Sequence, residues 1–138
     1  MPRIPVPPEV DELLRGPNPA VIATLRPDGA PQSRPLWTIV HDGDVVFFTQ
    51  ETSPKARDIA RDSRVALSVA DKANPYRSAW VRGRIGRTVD GEEALKIIDL
   101  ISDAYIGKPF PIRSGTIFVV EPEAQGAADL PFEDKPDA

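Results

Sequence analysis

The sequence predicts a mainly β domain: a small antiparallel barrel of about six strands with inserted helices. Three observations predict it. Short β-type runs are punctuated by Pro-Asp-Gly (27–29) and Asp-Gly (42–43), which are hairpin signals. Two helices are inserted among the strands, so the order reads β-β-β-α-β-β-α-β. The strands are joined by hairpins rather than by regular βαβ crossovers, which argues against a parallel sheet.

The elements follow in order. Pro2, Pro5, Pro7 and Pro8 make residues 1–8 an extended arm. Pro8 to Arg15 fits a short helix, with Val10, Leu13 and Leu14 on one face and Gly16 as its stop. Residues 20–25, 32–40 and 44–50 read as a three-stranded meander, with Pro35 marking an edge or a bulge. Ser53 is placed to cap a helix with Pro54 at its first position, and Ala56, Ile59 and Ala60 form its buried stripe. A strand follows over 64–70. Another runs over 78–89, with Gly83 and Gly86 suggesting a bend. From Asp90 or Gly91, Ala94, Ile97, Ile98, Ile101, Ala104 and Tyr105 keep helical spacing until Gly107 and Pro109 stop it. Residues 115–120 form the last strand. One domain over 1–125 and a mobile acidic tail over 126–138 complete the expectation.

Composition excludes several chemistries. Among 138 residues there is no cysteine and one histidine, so disulfides, thiolate metal sites and a thiol nucleophile are absent. His41 lies in a His-Asp-Gly-Asp turn and is given no role; Asp42 and Asp44 are turn acids. The net charge of −4 divides unevenly: residues 121–138 carry −5 and residues 1–120 carry +1. That body does not suggest a nucleic-acid binder. No apolar run reaches the ~18 residues of a membrane span, and no signal peptide opens the chain. The expectation is a cytoplasmic protein.

Two segments carry candidate chemistry. In Thr49-Gln-Glu-Thr-Ser-Pro-Lys-Ala-Arg57 a strand ends and a helix begins with Lys55 and Arg57 in its first turn. Cations are disfavoured at a helix N-terminus unless an anion joins them. Two readings stand: a phosphate site, or a capped surface helix with solvated basic residues. Lys55 and Arg57 differ by about 200° around a helix, so both reach one anion only by curling past its end. The second segment, 76–87, holds Arg77, Arg82, Arg84 and Arg87 and no acid. Trp80, Arg82 and Arg84 share one strand face, either as a ligand wall or as an interface. Trp37, following Arg34 and Pro35, reads as core or interface.

The ordered runs 20–31, 34–40, 42–49, 53–59, 65–71, 81–85 and 104–110 together resemble the pyridoxamine-phosphate-oxidase-like split-barrel flavoproteins. The likeness covers about residues 9–125 and is closest to the branch dependent on the deazaflavin coenzyme F420. The resemblance implies a six-stranded antiparallel split β-barrel, a homodimer and cofactor sites at the subunit interface. It implies that Lys55 and Arg57 bind the cofactor phosphate, assisted by Ser53, and that Thr49 and Gln50 follow the cofactor side chain. Pro35, Leu36 and Trp37 would lie by the ring system; Tyr76, Arg77 and Trp80 would come from the partner subunit. Arg82, Arg84 and Arg87 are candidates for an acidic cofactor extension. The family often has Asn where this chain has Asp58, and a carboxylate there is unhelpful to a phosphate unless Arg61 neutralises it.

The implied activity is hydride transfer between F420 and a small electron-poor acceptor such as an enone, quinone or tetrapyrrole. The alternatives are an FMN-binding oxidoreductase and a flavin or deazaflavin carrier without turnover. No general acid stands out.

Overall fold

The structure, a computed structural model, describes residues 4–136. Pro2 of the arm and Asp137 of the tail lie outside them. Three helices and seven strands follow one another: α1 Pro8–Leu14, β1 Ala20–Leu25, β2 Pro31–Leu36, β3 Thr38–His41, β4 Asp44–Thr49, α2 Pro54–Arg61, β5 Arg64–Ala70, β6 Arg77–Val89, α3 Gly91–Ile106 and β7 Thr116–Asp129.

The strands form one antiparallel sheet in the order β2-β1-β5-β6-β7-β4-β3. Its two edges, β2 and β3, are separated in the chain by Trp37 alone. Two trans peptide links span at most about 7 Å, so the sheet must curl until its edges nearly meet. They meet without pairing: β2 pairs only with β1, and β3 only with β4. The barrel is therefore split, and Trp37 stands in the split.

This corrects the expected meander. The run 32–40 is two strands on opposite edges, which raises the count from six to seven. Pro35 is on an edge strand, where its missing N–H disturbs no ladder. The last strand also outruns its expected end at Val120. It pairs with β6 as far as Asp129↔Arg77, so a domain boundary at 125/126 would cut through it.

The turns follow their residues. Gly43 has φ +79° and Asp42 φ +49°, as a tight Asp-Gly hairpin requires. Gly107, at φ +72°, caps α3 with its N–H on the Asp103 carbonyl. Gly83 has another reason to be glycine: a Cβ there would lie 2.0 Å from the Glu121 carbonyl oxygen. The register of β6 against β7 shifts at this close approach.

Two cores hold the barrel. Its interior packs Leu13 and Leu14 of α1 and Ile59 of α2 against Ile22, Phe47, Leu67, Val81 and Val120. Outside β4 and β7, Ile97, Ile98 and Ile101 of α3 pack on Ile39, Val46, Ile117 and Val119. Strands β4 and β7 are thus covered on both faces. Ala60, expected in the buried stripe of α2, is exposed. No described helix is long and apolar enough to cross a membrane.

Candidate functional site

The site lies at the split. Where β4 ends, Thr49 Oγ1 donates to Ser53 Oγ at 3.0 Å, and Ser53 Oγ accepts the Ala56 N–H at 3.1 Å. Ser53 is thus the N-cap of α2, as the Ser-Pro pair predicts. Its carbonyl takes the Arg57 N–H at 3.0 Å, and Pro54 has no N–H. Among the described residues, the Lys55 N–H is the one left open in that turn.

The Lys55 side chain borders a cleft of about 250 Å³ with Pro35, Leu36, Trp37, Phe48 and Phe110. Four of the expected contact residues, Lys55 and Pro35–Trp37, therefore come together around one space. The rings there brace each other. Trp37 meets Phe48 edge-on at 6.4 Å and Phe110 at 6.2 Å, while Phe48 and Phe110 pack at 4.9 Å.

Sequence reasoning missed one cation. Arg34 is exposed and does not itself line the cleft, but it stands on the same side of β2 as Leu36, since it pairs with buried Ile22 while Leu36 pairs with buried Ala20. Partial burial lowers the Lys55 pKa from its usual value, and the neighbouring Arg34 guanidinium lowers it further. Among the described residues no carboxylate pairs with either side chain. The period-two alternation from Leu36 was the signal for Arg34.

Asp58, the departure from the family pattern, is turned away from this charge. It is buried. Thr24 Oγ1 donates to its Oδ2 at 3.1 Å, and Arg26 and Arg61 donate to Oδ1 at 3.2 and 2.9 Å. Burial opposes its ionisation, but the bonds from Arg61 and Thr24 and the charges of Arg26 and Arg61 outweigh it. Its pKa lies below the ordinary carboxylate value. The acid fastens α2 to β1 and is already neutralised.

Other expected contacts lie elsewhere. Arg57 is exposed and does not border the cleft. Gln50 uses its amide on the loop before β7, donating to the Ser114 carbonyl at 2.8 Å and accepting from Ser114 Oγ at 3.1 Å. Arg77 is paired with Glu12 at 2.6 Å and Asp71 at 3.2 Å. Tyr76 donates to Asp134 Oδ1 at 2.6 Å. Trp80 stands on the outer sheet face, 43% exposed, with the Arg82 guanidinium 5.5 Å above its ring. Of the arginine stripe, Arg84 is paired with Glu123 at 3.3 Å and Arg87 with Asp44 at 3.0 Å. None of these borders the Lys55 cleft. Among the described residues no cluster of three His, Cys, Asp or Glu could hold a metal.

The comparisons agree with this architecture. The family described as "Pyridoxamine 5'-phosphate oxidase" matches residues 6–127. A pyridoxine/pyridoxamine 5'-phosphate oxidase of Bacteroides thetaiotaomicron is 29% identical over 122 residues, 86% of this chain. The chain spans about half, 51%, of that relative's length. A solved structure titled F420 reductase is 33% identical, with a TM-score of 0.75 over 88% of this chain and 98% of its own. A conserved hypothetical protein of Mycobacterium tuberculosis shares the fold at 20% identity, with a TM-score of 0.78 over 99% of this chain and 95% of its own. With that family matched over residues 6–127 and the split barrel in place, the chain belongs to the pyridoxamine 5'-phosphate oxidase family.

Proposed function

We propose that this protein is an oxidoreductase that binds coenzyme F420 and passes hydride to a small electron-poor acceptor. The observation that carries the reading is the unpaired cation pair Lys55 and Arg34 beside an aromatic and prolyl wall. Two like charges held close together are unfavourable, and an anion among them relieves the repulsion. The open Lys55 N–H adds a donor at the positive end of α2. A phosphorylated cofactor with a flat ring fits both parts: its phosphate beside Lys55 and Arg34, its ring along Pro35, Leu36 and Trp37. The 33% identity to an F420 reductase over nearly that whole chain favours the deazaflavin.

When bound, the reduced deazaflavin supplies the hydride, and this chain's residues bind, orient and exclude water. Lys55 and Arg34 hold the phosphate by charge-assisted hydrogen bonds. Among the described residues no carboxyl or imidazole borders this cleft or the larger one beside it, and in this reading the acceptor takes its proton from solvent.

The reading includes a homodimer. On the outer sheet face Val21, Ser68, Trp80 and Gly126 lie in one row, and Ser33, Ala23, Ala66, Arg82 and Ala124 in the next. Such small residues let a second sheet approach closely, with Trp80 as the anchor. Tyr76, Arg77 and Trp80 then reach the cofactor across the interface. An Ala66→Glu variant is expected to run as a monomer in analytical ultracentrifugation; an unchanged mass would remove this face as the interface.

A second reading, FMN in place of F420, has its own support. With Arg84 and Arg87 already paired, few arginines remain for an acidic cofactor extension, and FMN has none. Fluorescence titrations with F420 and with FMN separate the two, repeated with Lys55→Gln and Arg34→Ala. F420 binding weakened in both variants supports the first reading. Tight FMN binding with no F420 binding replaces it with the second, and binding indifferent to both substitutions removes the phosphate site.

A further inference from the structure

We propose that the larger cleft beside the same wall is the acceptor site. It takes a flat, largely apolar molecule carrying one anionic group, with Lys72 as the specificity-determining residue. This rests on the oxidoreductase reading above.

The cleft measures about 550 Å³, within the ~300–1,000 Å³ usual for small-molecule sites. Pro17, Pro19, Val21, Pro35, Leu36, Trp37, Tyr105 and Lys72 border it. Pro35, Leu36 and Trp37 also border the Lys55 cleft. These three residues thus border both spaces, which brings a ring lying along them in one and a flat molecule lying along them in the other to the same wall. Hydride transfer needs this adjacency of two flat partners.

The lining sets the ligand class. Three prolines offer no N–H, so they present apolar walls without donors. Trp37 and Tyr105 are parallel, with ring centroids 5.3 Å apart, and give the cleft aromatic surface. The Tyr105 hydroxyl is already committed: it accepts the Thr38 N–H at 3.2 Å and faces the Asn18 and Thr38 carbonyls at 3.0 and 3.1 Å. The one charged side chain in the lining is Lys72. Asn18 Oδ1 fixes its backbone by accepting the Lys72 N–H at 2.9 Å. Among the described residues its ammonium has no carboxylate partner. A site with many apolar contacts and one free cation selects an apolar anion over its neutral analogue.

Anthraquinone-2-sulfonate and 2-(hydroxymethyl)anthraquinone are matched probes of this class. The chain has two tryptophans, so in a Trp80→Phe background the emission reports Trp37 alone, at the cleft. Quenching titrations are run without cofactor, so their outcome is separate from that of the phosphate-site titrations. The sulfonate is expected to bind, and Lys72→Glu to weaken it by about tenfold or more while leaving the neutral probe unchanged. Pro19→Phe, which narrows the cleft without adding a tryptophan, is expected to weaken both. Equal loss of both probes in Lys72→Glu, or binding untouched by either substitution, overturns the proposal. If the probes behave as expected and neither F420 nor FMN binds, the cleft stands and the cofactor reading falls.

Discussion

The indole of Trp37 lies parallel to the ring of Tyr105, 5.3 Å between centroids and 10° between planes. Tyr105 comes from α3 and Trp37 from the gap between the two sheet edges, so the stack joins the helix to the split. The phenol hydroxyl bonds the backbone on both sides of that gap, at Thr38 and Asn18. Tyr105→Phe keeps the stack and removes these bonds, at a cost of about 1–2 kcal/mol in urea denaturation. Tyr105→Ala removes the ring as well and is expected to cost about 3–5 kcal/mol. The phenylalanine variant should keep the Trp37 emission maximum, measured in a Trp80→Phe background, while the alanine variant shifts it to the red.

Asp58 holds α2 in place through its charge. Its folded pKa lies below the ordinary carboxylate value, so its contribution is present at neutral pH and is lost as pH falls below about 4. Asp58→Asn retains the shape and loses the pairing with Arg26 and Arg61. Both arginines are partly exposed, which moderates the loss to about 1–3 kcal/mol at neutral pH. Thermal melts compared near pH 7 and near pH 3 should show the gap between variant and parent narrowing in acid.

How much of this could be read from the chain depends on where the determinant lies. Strand β5 matched its expected ends and α3 its expected start and stop, because local patterning and Gly107 define them. The break at Trp37 could not be read: past Pro35, residues 36–40 are one uninterrupted β-type run, and only barrel closure sends the two parts of 32–40 to opposite edges. The polar extension of β7 has weak strand propensity and exists because β6 is long enough to pair with it. At the site, the Ser53 cap and Lys55 were legible as local signals. The pairing of Arg84 and Arg87 was not, because their partners Glu123 and Asp44 come from other strands.

The close approach at Gly83 separates backbone crowding from side-chain crowding. A Cβ at Gly83 would meet the Glu121 carbonyl oxygen at 2.0 Å and the Pro122 Cα at 3.1 Å. At Gly86 the three nearest atoms would all belong to the Glu121 side chain, whose carboxyl end can swing away. Gly83→Ala should therefore cost about 1–3 kcal/mol in chemical denaturation. Gly86→Ala should cost clearly less.

Lys55 and Arg34 tie binding to stability in opposite directions. The Lys55 pKa is lowered by partial burial and by Arg34. Between that lowered value and the ordinary one, the unfolded chain holds more protons than the folded one. The stability of the cofactor-free protein therefore rises with pH across that window. Lys55→Gln removes the crowded charge, so it should leave the melting temperature unchanged or higher while F420 or FMN affinity falls by tenfold or more, about 1.4 kcal/mol. Affinity in the parent protein should drop at alkaline pH as Lys55 loses its proton. Arg34→Ala removes the neighbour that favours that loss, so the alkaline limb should move to higher pH even though overall affinity is weaker. Cofactor titrations across pH 7 to 10.5 read both effects. A limb that stays in place in Arg34→Ala would show that the Arg34 charge does not act on the Lys55 proton.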